Sequence, residues 1–142
     1  MVAPDFADPD YRALADFRYH LRKFLAFSEQ SARAVGIEPR QHQLLLAIRG
    51  LPENLEPTVQ VLAERLQLRH HTVVELLDRL EAAGFARRTR DPDDRRRARV
   101  AITARGAELL RKLSLSHREE LRMTAPALVA SLGRVLRTSA RK

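Results

Sequence analysis

The stretch RTRDPDDRRRARV, Arg88–Val100, sets six arginines and three aspartates within thirteen residues. Its flanks are ordered in pattern. FARRTR (85–90) reads as a strand, and so does ARVAI (98–102), where Ala98, Val100 and Ile102 alternate with Arg99 and Ala101. Between them Asp91-Pro92-Asp93-Asp94 has turn chemistry: aspartate at the first position and proline, with its preset φ, at the next. A disordered charged tail would have no such brackets. The expectation is a β-hairpin with arginines on its tip and outer face.

Outward from the hairpin the period changes from 2 to 3.6. In RHHTVVELLDRLEAAG (69–84), Val73, Leu76, Leu77 and Leu80 form one apolar stripe, and Gly84 supplies the stop. A short break at Gln67-Leu68 separates this helix, read as 69–83, from another that Thr58 caps and that carries Val59, Leu62, Ala63 and Leu66. LPENLEP (51–57) reads as a loop. Before it Pro39 opens a helix with Leu44, Leu45 and Ile48 inward, ended by Gly50 and Pro52. Asp8-Pro9 looks like a cap followed by a first helical position, and the pattern then runs to Gly36, a helix of about 39 Å at 1.5 Å per residue. Tyr11, Tyr19 and Phe27 lie off its main stripe, so it needs more than one neighbour. Beyond the hairpin, Thr103 caps a helix expected to run to about Thr124. Pro126 is expected to reset it into a last helix carrying Leu128, Val129, Leu132, Val135 and Leu136.

Composition narrows the function classes. The 142 residues, 44% apolar, fit a single globular domain over 1–142. No apolar run is long enough to span a membrane. The acidic start MVAPDFADPD lacks the apolar core of a secretory signal, so a cytoplasmic location is expected. The net charge of +8 favours a polyanionic partner. It is uneven: net −1 over residues 1–63, +3 over 64–110 and +6 over 111–142. With no cysteine, disulfides, thiolate metal sites and thiol redox sensing drop out together. No HExxH, phosphate-cradling Gly-rich loop or nucleophile motif occurs, and His20, His42, His70, His71 and His117 show no ligand spacing. No catalytic residue, metal or cofactor is expected.

Helix, helix, short break, helix and hairpin, in that order, make a winged helix-turn-helix. The fold expected is mainly α with a small β-hairpin wing. Such a fold lays its second helix in the DNA major groove with its first residues at base edges. The stripe of helix 69–83 turns inward, which leaves Arg69, His70, His71, Thr72, Val74 and Glu75 as candidate DNA contacts, with Asp78 and Arg79 also facing out or flanking. Arg88, Arg90, Asp94, Arg95, Arg96 and Arg97 join them from the wing, where arginines suit phosphates and a narrow minor groove. Glu75 and Asp78 would repel phosphates; they either accept from a cytosine amino group or pair with Arg79 and Arg69. The same two acids motivate the alternative of a winged-helix protein-interaction module without DNA binding.

Residues 37–106 resemble the MarR family of bacterial transcription regulators. DRRRARVAITARG is similar to the family's wing signature D-x-R-x-x-x-V-x-L-T-x-x-G, with Asp94, Arg96, Val100, Ile102, Thr103 and Gly106 on the signature positions and Ile in place of Leu. LLDRLEAAGF resembles the ending of the family's recognition helix, and Gln41 with the leucines after it matches the second-helix pattern. The chain departs from the family at Arg69, where Ser or Thr is frequent, at His42, where an aromatic is, and at Val74, where a small polar residue is. Arg69 cannot cap as Ser does, so the helix start is expected to differ by a residue.

The resemblance implies a homodimer joined by N- and C-terminal helices, here 8–36 and 107–142, presenting two winged lobes (37–106) to a pseudo-palindromic operator on double-stranded DNA. It implies a ligand-responsive repressor. It implies that Arg96 enters the minor groove, oriented by Asp94. Family members also bind small, often phenolic, effectors between the dimer helices and the winged lobe; His20, Phe24, Phe27 and His42 are the candidate liners here.

Overall fold

The computed structural model describes residues 4–90, 92, 93 and 98–138. Five helices and one hairpin follow in order: α1 (Asp8–Ala34), α2 (Pro39–Arg49), α3 (Val59–Leu66), α4 (His70–Ala82), β1 (Ala86–Arg90), β2 (Ala98–Ile102) and α5 (Ala104–Thr138). The expected elements are present, mainly helical with a two-stranded antiparallel hairpin in which Ala86 faces Ile102 and Arg90 faces Ala98. No helix among the described residues is long and apolar enough to cross a membrane.

Local chemistry sets the element ends. Thr58 Oγ1 accepts from the Val61 N–H at 3.2 Å, as an N-cap does. Pro39 occupies the first turn of α2, and Gln41 reaches back to accept from the Glu38 N–H at 2.7 Å. Three helices end in the same reversal. At Gly36, Gln67 and Gly84 the chain takes positive φ (87°, 56° and 81°). At each, the next N–H donates back to a carbonyl five residues earlier: Ile37 to Ala32, Leu68 to Ala63 and Phe85 to Leu80. Gln67 does so with a Cβ, an uncommon use of the left-handed region.

Two expectations are corrected. The first cap lies a residue earlier: Ala7 C=O accepts from the Asp10 and Tyr11 N–H groups, and Asp10 Oδ2 accepts from the Ala7 N–H at 2.9 Å, so Asp8 is already helical. The loop 51–57 is a loop as expected, and its end reaches the hairpin: Val100 N–H donates to Pro57 C=O at 2.9 Å and Thr58 bridges Arg99. Pro126 does not divide the last helix; α5 runs through it. Proline removes one N–H and crowds the carbonyl four back, here that of Arg122. Leu121, Ala125, Leu128, Ser131 and Val135 continue one stripe across it, and Pro126 itself stands on the exposed side.

The chain forms two compact units, residues 31–114 and, separately, residues up to Gln30 with those from Leu115 onward. The first holds the apolar core: Leu44 and Leu45 of α2, Leu62 of α3, Val73, Leu77 and Leu80 of α4, and Val100 of β2 are all but inaccessible. It is wider than 37–106, since Ala32, Leu110 and Leu113 are buried in the same cluster. In the second, the N-terminal part of α1 runs antiparallel to the C-terminal part of α5, tied by Arg134 to Asp16 at 2.6 Å and by His117 to Ser28 at 2.8 Å. Here Tyr11, Leu14, Tyr19, Met123, Val129, Leu132 and Leu136 are exposed.

Candidate nucleic-acid interface

α4 starts at His70 because Arg69 stands as its N-cap in an extended conformation, without a side-chain cap bond. The burial of Val73, Leu76, Leu77 and Leu80 fixes the helix's rotation. Arg69, His70, His71 and Glu75 are therefore exposed along its first two turns, with Thr72 and Val74 half-buried beside the stripe. Glu75 has no salt-bridge partner among the described residues, so its carboxylate is open to solvent or to a ligand's donor.

The second acid on this helix is placed differently. Arg88 of β1 donates from Nε to Glu81 Oε1 at 2.6 Å, and its terminal nitrogen bonds the carboxylates of Asp78 and Glu81. The Arg88 backbone N–H also donates to Glu81 Oε2 at 3.2 Å. The hydrogen bond to Asp78 raises the Arg88 pKa further above its ordinary value, partial burial opposes this, and Glu81 adds to the rise. Arg88, a candidate DNA contact by sequence, is engaged inside the lobe, and Asp78 pairs with it in place of Arg79 or Arg69. Glu81 was not singled out by sequence. The only signal was its position three residues before Gly84, whose reversal folds β1 back beside the last turn of α4.

The base of the wing is held by backbone groups. Thr103 N–H donates to Phe85 C=O at 3.1 Å, and the Thr103 hydroxyl donates to Gly84 C=O at 2.6 Å. The same hydroxyl accepts from the Gly106 N–H at 3.0 Å, capping α5. A Cβ on Gly106 would lie 2.1 Å from Phe85 O, so only glycine lets the helix approach this turn. Arg87 and Arg90 are exposed on opposite faces of β1, and Arg99 meets Glu56 at 2.9 Å. Asp94, Arg95, Arg96 and Arg97 lie outside the described residues, and with them the pairing of Arg96 with Asp94.

Residues 35–97 match the model of the MarR family. The HTH-type transcriptional regulator YkoM of Bacillus subtilis is 34% identical over 111 residues, 75% of this chain and 69% of that protein. The chain belongs to the MarR family. SarZ of Staphylococcus saprophyticus, also an HTH-type transcriptional regulator, is 38% identical over 71 residues, 50% of this chain and only 47% of SarZ. Among solved structures, a mutant of S. aureus MepR bound to an oligodeoxyribonucleotide shares the fold with a TM-score of 0.67 and 23% identity, over 94% of this chain and 99% of that one. These MarR-family relatives are transcription regulators and not enzymes.

The effector-site candidates of this MarR-family protein have separate surroundings. Phe24 and Phe27 meet edge-on at the His117 ring, with centroids 5.9 and 5.4 Å away. His20 Nε2 is 3.5 Å from Asp16 Oδ1, and its ring lies against Tyr19. All of these are in the helical unit, whereas His42 is buried in the winged unit. His117, which sequence did not place with the liners, is the residue that Phe24 and Phe27 share. Among the described residues no three metal-ligating side chains gather.

Proposed function

We propose that this MarR-family protein binds an inverted-repeat operator on double-stranded DNA as a homodimer, represses transcription there, and releases the DNA when a small aromatic effector binds. The observation that carries this is the first two turns of α4, whose outward residues are polar, basic or unpaired while its inward stripe is sealed in the core. That is the arrangement a recognition helix needs. The exposed Arg87 and Arg90 of the adjoining hairpin supply phosphate contacts, and Arg96, oriented by Asp94, enters the minor groove. The MepR complex with an oligodeoxyribonucleotide supports the same reading by likeness of fold.

The helical unit supports the homodimer. Its apolar residues stay exposed in the single chain, and a groove of about 810 Å³ opens between the first turns of α1 and the last of α5, lined by Pro9, Ala13, Tyr19, Arg134 and others. A partner's equivalent helices are its natural filling. The effector reading rests on Phe24, Phe27 and His20 as ring-packing and hydrogen-bonding groups, with His42 the fourth candidate; a chain without cysteine leaves no thiol to oxidise. The location is cytoplasmic, where operator and effector meet.

The test is a salt-dependent gel shift on genomic fragments, repeated with Arg96→Ala. Specific binding that weakens by about 1–3 kcal/mol in the variant is expected. No retarded fragment at low salt would favour the protein-interaction module. Release by salicylate-like aromatics and not by mild peroxide is the expected effector behaviour.

A further inference from the structure

Acids on the exposed side of a recognition helix oppose DNA binding, and α4 carries Glu75, Asp78 and Glu81. Two of the three are taken by one residue of the wing. Asp78 and Glu81 are three apart, so their carboxylates lie side by side on the helix surface. Arg88 meets both through the edge of its planar guanidinium, the geometry that separates arginine from lysine. Its backbone joins in. Val100, opposite Arg88 in the ladder, turns its own N–H outward to Pro57, so the pair does not bond across the hairpin. The Arg88 N–H likewise points off the sheet edge, where Glu81 accepts it. Among the described residues, these are the ion pairs that join α4 to the hairpin.

We propose that Arg88 is a positioning residue: by bridging Asp78 and Glu81 it locks the first wing strand to the recognition helix, so that helix and wing meet DNA at one fixed spacing. This rests on the DNA-binding reading above. A phosphate that drew Arg88 away would leave two carboxylates uncompensated beside the DNA backbone, so the clamp and a phosphate contact exclude each other. Phosphate contact is left to the exposed arginines on either side, Arg87 and Arg90.

Two charge-defined variants separate the roles. Arg88→Lys keeps the charge and loses the fork. As a clamp residue it should bind operator about tenfold more weakly with the same salt slope, whereas a phosphate contact would tolerate lysine. Glu81→Gln makes the protein more positive, so charge alone would tighten DNA binding; loss of the clamp should weaken it by about three- to tenfold. In both variants, without DNA, the backbone amide at position 88 should exchange its hydrogen faster while the Leu77 and Leu80 amides keep their protection, which shows that the lobe stays folded. Native affinity in Arg88→Lys, or tighter binding in Glu81→Gln, overturns the proposal. If the native protein retards no DNA fragment, the DNA-binding reading fails on its own. The exchange data then decide the clamp, and unchanged protection of the position-88 amide in both variants would refute it.

Discussion

Gly106 and Gln67 show how single positions enforce backbone geometry. Gly106 sits in the first turn of α5, where alanine would ordinarily stabilise a helix by about 1 kcal/mol. The 2.1 Å approach to Phe85 O reverses that sign. Gly106→Ala is expected to lose about 1–3 kcal/mol in urea unfolding, because helix start and wing base must separate. A gain in stability would mean that the close approach is not maintained in solution. Gln67 is the opposite case, a side chain where glycine fits better. Left-handed backbone costs a residue with a Cβ about 1–2 kcal/mol, and glycine's extra freedom in the unfolded chain offsets about 0.5–1 of it. Gln67→Gly is therefore expected to stabilise by about 0.5–1 kcal/mol, read as a rise in the denaturation midpoint. A fall would show that the exposed bond from Gln67 Nε2 to Glu64 C=O, at 2.9 Å, outweighs the strain.

At the scale of elements, α5 invites the sharpest test, because it carries a proline that its stripe overrides. Pro126→Ala restores one N–H and the bond to the Arg122 carbonyl, and is expected to raise thermal stability by about 1–3 kcal/mol. A lower melting temperature would indicate that neighbouring helices are fitted to the proline. The same helix shows where sequence reading stops. α2, α3, α4 and the hairpin were legible because each carries its own period, cap and stop: Leu44 with Leu45, Thr58, the Val73 to Leu80 stripe, and Gly84. Pro126 misled because a local rule was applied where a helix 35 residues long, with apolar residues on both sides of the proline, decides the outcome. The strand-like addition of Pro57 and Thr58 was hidden because only the fold brings them to Val100 and Arg99. At the interface, the outward set of α4 followed from periodicity alone. Arg88 did not, since alternation says which side of a strand a residue takes and not which acid waits there.

The whole molecule adds a requirement that neither residue nor element states. Apolar side chains of the helical unit, Val129, Leu132 and Leu136 among them, remain exposed in a single chain. Covering them at roughly 25 cal/mol per Å² is a strong reason to associate. Val129→Glu with Leu136→Glu is expected to yield a monomer in sedimentation at micromolar concentration. Operator affinity should drop to that of one half-site, while the buried stripe of α4 keeps its protection. A stable dimer of the double variant would place the contact on another face. The wing base leads to a different consequence, for how such a protein diversifies. Towards α5 its attachment uses the carbonyls of Gly84 and Phe85, a hydroxyl at Thr103 and the absence of a side chain at Gly106. None of these four groups belongs to the interval between Arg90 and Ala98. An exchange within that interval is therefore expected to leave these contacts standing while, under the proposed function, it retunes which promoter is recognised.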